Sequence, residues 1–168
     1  MQGSSSLDIL KQKLLDCQAV KFGDFTLTSG KKSKFYVDMK LASTDPEILG
    51  CIAKEFARNM SKEVDFIAGM ELGAVPLAVA LSLETGIPYS MIRKTPRKHG
   101  TGSRIEGPSK GKAILVDDVA TTGGSNIESI KSLVDEGVEV VQVMVVVDRE
   151  EGAEEKIVPF NLDYRSLI

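Results

Sequence analysis

The stretch Ile114-Leu115-Val116-Asp117-Asp118-Val119-Ala120-Thr121-Thr122-Gly123-Gly124-Ser125 constrains this chain more than any other. An apolar run that ends in two acids and a turn of small residues reads as a buried strand handing over at once to a helix. The glycines let bare backbone come close to a ligand and adopt positive φ, which a Cβ penalises. Hydroxyls on Thr121, Thr122 and Ser125 can donate to phosphate oxygens, and the free N–H groups and positive dipole end of the helix attract the same anion. Asp117 and Asp118 repel a phosphate; they suit the hydroxyls of a sugar, or a metal ion. Other phosphate motifs do not compete, because residues 107–113 lack the Walker spacing and no G-x-G-x-x-G follows a strand.

The rest of the chain alternates in the same way. Leu7, Leu10, Leu14 and Leu15 recur at helical spacing, Phe22 to Leu27 reads as a turn into short strands, and Phe35 to Met39 as another strand. Asp45 and Pro46 open a helix whose apolar face is Ile48, Leu49, Ile52, Phe56 and Met60. A strand over 64–70, a helix over 73–85 stopped by Gly86, and a strand over 87–93 follow. Residues 94–111 hold Pro96, Pro108 and four glycines with almost no apolar side chain, so they are expected to form a long exposed loop. Then come a strand over 113–119, a helix from Ser125 with Ile127, Ile130, Leu133 and Val134 on one face, a stop at Gly137, and a strand over 139–147. Nearly unbroken β-branched strands between helices predict an α/β fold with a mostly parallel sheet covered on both faces. Ligands are then expected at the carboxyl ends of the strands.

Length bounds the organisation. At 168 residues with no linker or repeat, the chain is expected to be one domain over 1–168, with 1–6 as a flexible leader. No apolar run approaches the length of a membrane span, and residues 1–6 lack the features of a secretory signal, so the cytoplasm is the expected compartment. Cys17 and Cys51 lie in helical patterns without metal-ligand spacing and are expected to be buried thiols. A net charge of −3 argues against a general nucleic-acid surface. Charge is uneven, however: Arg93, Lys94, Arg97, Lys98, Arg104, Lys110 and Lys112, with His99 among them, face the single acid Glu106 over that span, which predicts a local anionic ligand.

The 114–125 stretch also resembles the phosphoribosyl-diphosphate signature of the type I phosphoribosyltransferases. Three further segments narrow the resemblance to orotate phosphoribosyltransferases. Phe25 to Lys40 resembles that family's F-T-L-x-S-G-x-x-S-x-x-Y-x-D-x-K stretch, although the residues alone would also suit a basic hairpin. Arg93-Lys94-x-x-Arg97-Lys98-His99-Gly100 resembles the start of its mobile catalytic loop, although a solvated charge run has the same look. Asp148-Arg149-Glu150-Glu151-Gly152 resembles its D-R-x-E-G. There Arg149 can form a planar, bidentate pair with a carboxylate, whether of a ligand or of a neighbouring acid. Glu71 to Pro76 matches the position of the family's pyrophosphate loop, and would also serve as a plain strand-to-helix turn. Two positions depart from the pattern: Arg97 and Thr28 stand where lysines are usual.

The resemblance implies the type I phosphoribosyltransferase fold, with a small N-terminal hood and a long mobile loop. It implies transfer of a 5-phosphoribosyl group from phosphoribosyl diphosphate to orotate, with Mg²⁺ as cofactor and no dedicated protein cage for the metal. Asp117, Asp118, Arg97, Lys98 and His99 are then the catalytic candidates. Arg93, Lys94, Arg97, His99, Asp117, Asp118, Val119, Ala120, Thr121, Thr122, Gly123, Gly124 and Ser125 are the candidates for the sugar donor, and Thr121, Arg149 and Tyr36 for orotate. A homodimer sharing loop residues across its interface is implied, with no nucleic-acid or membrane partner. The rivals are a phosphoribosyltransferase for another base and a regulator that keeps the sugar-phosphate pocket but binds nucleic acid.

Overall fold

Ser5 and Asp8 form a capping box: the Ser5 hydroxyl accepts from the Asp8 N–H, and the Asp8 carboxylate accepts from the Ser5 N–H, so helix α1 (Ser6–Asp16) starts inside the expected leader. The fold is that of a computed structural model, which describes residues 5–26, 30, 32–96 and 102–168. Strands β1 (Val20–Thr26) and β2 (Lys32–Val37) form an antiparallel hairpin with a bulge between Phe22 and Phe25. Met39, expected to end a strand, instead begins the short helix α2 (Met39–Ser43), because the Asp38 side chain caps it at the Lys40 N–H.

Helix α3 (Pro46–Asn59) has the expected N-cap: Asp45 Oδ1 accepts from the N–H groups of Glu47 and Ile48, with proline in the first turn. Strand β3 (Phe66–Met70) is wholly buried, helix α4 (Val75–Thr85) ends at Gly86 in the left-handed conformation, and β4 (Tyr89–Ile92) follows. The expected exposed loop over 94–111 is interrupted by a two-residue strand, β5 (Ile105–Glu106), which pairs antiparallel with β4 and buries Ile105. One apolar residue among prolines and glycines gives no period to read, and it is tertiary burial that makes the strand.

Strand β6 (Lys112–Ala120), helix α5 (Gly124–Asp135) and strand β7 (Glu139–Asp148) fall where the pattern predicts. Beyond them lie a short helix α6 (Ala153–Ile157) and an edge strand β8 (Asp163–Ser166) that pairs parallel to β7. The main sheet runs β5-β4-β3-β6-β7-β8, parallel throughout except for the β4–β5 pair. On one face Ile67, Ile114, Val116, Met144 and Val146 pack with Leu10 and Leu14 of α1, Ile52 and Phe56 of α3, and Leu77 and Leu81 of α4. On the other, Phe66, Ala68, Leu115, Val143 and Val145 pack with Ile130 and Leu133 of α5 and Ile157 of α6. Cys17 and Cys51 are half-buried rather than buried. Among the described residues no helix is long and apolar enough to cross a membrane.

One buried amide ties the layers together at the end of the sheet away from the acid pair. Gln142 of β7 accepts from the Ser61 N–H at 2.8 Å through Oε1, and its Nε2 donates to Asn59 O at 3.1 Å and to Asp163 Oδ2 at 2.8 Å. Gln142→Leu would leave a half-buried main-chain donor and acceptor unmatched. It is expected to lower stability by about 2 kcal/mol in urea unfolding, through a shifted midpoint with an unchanged slope.

Candidate active site

Parallel pairing of β3, β6 and β7 brings their carboxyl ends to one rim, and four segments meet there. Asp117 and Asp118 end the apolar part of β6, the turn 121–124 leads into α5, residues 71–74 leave β3, and Asp148-Arg149 leaves β7. The Arg149 N–H donates to Ala120 O at 3.0 Å, which fixes the β7 exit beside the hydroxyl-bearing turn.

The two acids differ in surroundings. Asp117 Oδ2 accepts from Asn126 Nδ2 at 2.8 Å, and Oδ1 from the Asp118 N–H at 2.9 Å. Asn126 is buried, and its own Oδ1 has no hydrogen-bond partner. Burial first, then the charge of Asp118, pushes the Asp117 carboxyl up to about 7. Asp118 Oδ1 accepts from the Val119 N–H at 2.8 Å, and a side chain at Gly73 would collide with Asp118 Oδ2. Glycine at 73 therefore lets the 71–74 turn lie against the second carboxylate. Neither Asn126 nor the Gly73 contact was legible in the sequence; an Asn two places into a helix signals only when its distant partner is known.

The turn after β6 is built to present donors. Gly123 is the N-cap of α5 with φ +75°, and a Cβ there would press on Ala153. Thr121, Thr122, Gly124 and Ser125 are exposed, and α5 carries no side-chain cap. Among the described residues the three hydroxyls of this turn have no protein partner, so hydroxyls and first-turn N–H groups together offer an anion site at the helix end.

Arg149 is 9% exposed, with its guanidinium carbon 4.9 Å from the centre of the Phe35 ring. Its Nη2 donates to Ser33 Oγ at 3.1 Å, so the β1–β2 hairpin closes over the end of β7. Glu151 Oε1 stands 3.3 Å from Nε, but the alignment makes no hydrogen bond, and Nε is buried without an acceptor. The pleat of β2 puts Ser33 and Phe35 on the face that meets Arg149 and Tyr36 on the opposite, 42% exposed face, where its ring lies 5.7 Å from that of Phe25. Tyr36 thus lies on the face of β2 away from Arg149, and it is Ser33 and Phe35 that meet the guanidinium. Tyr164 supports the β7 exit by donating to Asp148 Oδ2 at 2.7 Å, with its phenol pushed above its ordinary value by burial and then by that hydrogen bond.

On the β4 side, Arg93 and Lys94 leave the sheet at the same rim. Arg93 Nη1 stands 3.4 Å from Glu106 Oε1, and its buried Nε has no acceptor. Glu71 Oε1 accepts from the Lys94 N–H at 2.7 Å, joining the β3 exit to the β4 exit. Arg97, Lys98 and His99, with Thr28, lie outside the described residues. A cleft of about 600 Å³ lined by Lys62, Asp65, Lys112 and Glu139 sits at the amino ends of the strands, the wrong end of the sheet for this chemistry.

An acid pair, a hydroxyl turn at a helix start and two arginines on one parallel-sheet rim define a phosphoribosyl transferase domain, and the sequence model of that domain matches residues 46–163. The orotate phosphoribosyltransferase of Thermococcus kodakarensis is 50% identical over 159 residues, spanning 92% of this chain and 86% of that protein. The crystal structure of orotate phosphoribosyltransferase from Aeropyrum pernix superposes with a TM-score of 0.81 at 32% identity, over 94% of this chain and 92% of that one. That of the Mycobacterium tuberculosis H37Rv enzyme in complex with 5-phospho-alpha-D-ribosyl 1-diphosphate gives 0.78 at 29% identity, over 97% and 95%. The chain belongs to the orotate phosphoribosyltransferase family.

The raised Asp117 value carries a stability consequence. Its folded pKa lies above the unfolded value of 3.8, so folding holds the proton, and the stability this gives is complete below 3.8 and lost as pH rises through about 7. Asp117→Asn, which stays neutral throughout, is expected to match the wild type in thermal midpoint near pH 3.5. Its advantage should grow up to pH 7 and then level off, in melts recorded across that range without substrate. Parallel curves at all pH values would place the carboxyl in an ordinary environment.

Proposed function

We propose that this chain transfers the 5-phosphoribosyl group from phosphoribosyl diphosphate to a ring nitrogen of orotate, giving orotidine 5′-monophosphate and diphosphate, on the way to UMP. The observation that carries the reading is Arg149. It is a buried guanidinium stacked on Phe35, with an unmatched donor, one strand from the acid pair and the hydroxyl turn. A base that carries a carboxylate supplies the missing acceptor, and a purine or uracil does not. In this reading Thr121, Thr122, Gly123, Gly124 and Ser125, with the main chain of Val119 and Ala120, hold the 5′-phosphate. Asp117 and Asp118 hold the ribose hydroxyls, and Arg149 and Thr121 hold orotate.

Bond breaking at the anomeric carbon leaves an oxocarbenium-like sugar and a diphosphate that gathers charge. No covalent nucleophile is required, so the work is positioning, worth about 7–11 kcal/mol in well-oriented systems, plus charge stabilisation. Arg93 and Lys94, with Arg97, Lys98 and His99, cover the diphosphate, where their charge counts most in the transition state. Mg²⁺ suits the donor set: two carboxylates at the rim offer hard oxygens, among the described residues no third acid, His or Cys completes a cluster, and a diphosphate brings further oxygens. Bound there, the metal would neutralise the leaving group. The working form is a homodimer in the cytoplasm, in which Lys94 and His99 serve the neighbouring site, and residues 1–168 act as one domain.

Diphosphate release is to be followed with phosphoribosyl diphosphate, Mg²⁺ and each of orotate, hypoxanthine, adenine and uracil. Turnover with a purine and none with orotate would sink the assignment. Asp118→Asn is expected to lower kcat/KM for the sugar donor by about 100-fold with an unchanged melting curve, since a lost charge-stabilising contact in a preorganised site has that effect. Arg149→Ala is expected to raise the KM for orotate by about tenfold or more, the scale of one lost charge-assisted pair, with the KM for the donor little changed. The reverse pattern would mean that Arg149 faces the donor.

A further inference from the structure

The β4–β5 ladder ends at the Ile92–Ile105 pair, and the two residues beyond it are held in an unusual way. Arg93 N–H donates to Arg104 O at 2.8 Å, and Arg104 Nε donates back to Arg93 O at 2.8 Å. One step further, both main-chain groups of Lys94 are taken by side chains: its N–H donates to Glu71 Oε1, and its C=O accepts from Arg104 Nη2 at 2.8 Å. The same Nη2 donates to Glu128 Oε1 at 2.8 Å, on the helix whose first turn faces the rim. Ser103 adds a second tie, donating to Glu136 Oε1 at 2.5 Å at the end of α5. Arg104 is 21% exposed and its bond to Arg93 O is half-buried, while the bonds to Lys94 O and to the half-exposed Glu128 lie toward solvent, so what the three contribute together is a fixed geometry.

We propose that Arg104 is a positioning residue, which continues the ladder past its last pair and braces the main chain of Arg93 and Lys94 against α5. A two-residue edge strand cannot by itself fix the direction in which these two cations leave the sheet. A planar fork with several donors can satisfy two successive carbonyls and a carboxylate at once, and an ammonium on a flexible stem cannot. The brace thereby sets the distance between Arg93 at the β4 exit and the anion site at the start of α5, the two ends of one phosphorylated sugar diphosphate, and the direction in which Lys94 sets out toward the neighbouring site. The inference rests on the phosphoribosyl-transfer reading and adds to it a residue that touches neither substrate.

The test uses the intact chain, with inorganic diphosphate plus Mg²⁺ and ribose 5-phosphate as separate calorimetric probes, alongside steady-state rates with orotate. Arg104→Met is expected to weaken diphosphate binding and lower kcat by about tenfold or more, the scale of a misplaced positioning group. Affinity for ribose 5-phosphate and the KM for orotate should stay within about twofold, because those contacts lie on α5 and β7 and are not braced by Arg104. Arg104→Lys, which keeps the charge but not the fork, should recover less than half of the loss on a logarithmic scale, and Glu128→Ala should lose about two- to threefold. Should Arg104→Met fail to fold, Arg104→Lys and Glu128→Ala carry the same comparison. Wild-type diphosphate affinity in these variants, or an equal loss for both probes and for orotate, would overturn the brace. A wild-type protein that binds neither probe and leaves orotate unused would overturn the phosphoribosyl reading, and the brace with it.

Discussion

Parallel pairing of β6 with β3 on one side and β7 on the other is the constraint on which the molecule depends. Strands that run the same way must finish at the same edge, and each must return through a helix laid on one face. The carboxyl ends of β3, β4, β6 and β7 therefore supply the 71–74 turn, Arg93 and Lys94, the acid pair, and Arg149 to a single rim, although as many as 78 residues separate Glu71 from Arg149 in the chain. Burial of both faces makes this arrangement rigid. Ile114 and Val116 face α3 and α4 while Leu115 faces α5, so β6 cannot slip by one residue without exchanging its two sets of contacts.

Rigidity at the rim has an electrostatic cost that falls unevenly. Asp117 is held among apolar neighbours and an amide, and it tends to keep its proton. Asp118, one residue on, faces the Gly73 turn instead and accepts from the Val119 N–H. Adjacent acids on a strand necessarily project to opposite sides, so their environments must differ. A sugar with two neighbouring hydroxyls presents groups that can donate to a carboxylate and also accept from a carboxylic acid. The asymmetry of the pair suits such a ligand better than two equal carboxylates would.

What could be read from the sequence follows from the range of the interactions involved. Helix starts at Asp45 and the stop at Gly86 are local devices, and the apolar periods of α3, β6 and β7 repeat often enough to be read. The acid pair and hydroxyl turn were also legible, because strand, acids and turn are contiguous in sequence. By contrast β5 is two residues long and β8 carries Asp163 and Arg165 at an exposed edge, so neither has a period; both exist through pairing with β4 and β7. The placing of Tyr36 depends on tertiary register for a related reason. A shared motif names a residue, but only the register of the hairpin decides which face of β2 meets Arg149. Asn126, Ser33, Phe35 and Arg104 have their partners 9 to 116 residues away, and no local pattern marks them.

The unmatched donors give the rim its direction as a site. Arg93 and Arg149 each bury an Nε with no acceptor, at the exits of β4 and β7, and the turn between β6 and α5 leaves its hydroxyls and first-turn amides without protein partners. Each buried, unpaired polar group disfavours the folded chain by about 1–3 kcal/mol. Such a set survives only where the surrounding structure over-determines it, and here the parallel sheet, the Gln142 tie and the bonds of Arg104 do so. The two buried guanidinium donors are already desolvated, and the exposed hydroxyls and amides of the turn are already held in place by Gly123 and the helix start, so little reorganisation is needed when an anion arrives or when charge develops on it. The stability that the rim gives up in the free protein is therefore the preorganisation that a charged, multiply phosphorylated sugar and a carboxylate-bearing base would recover on binding.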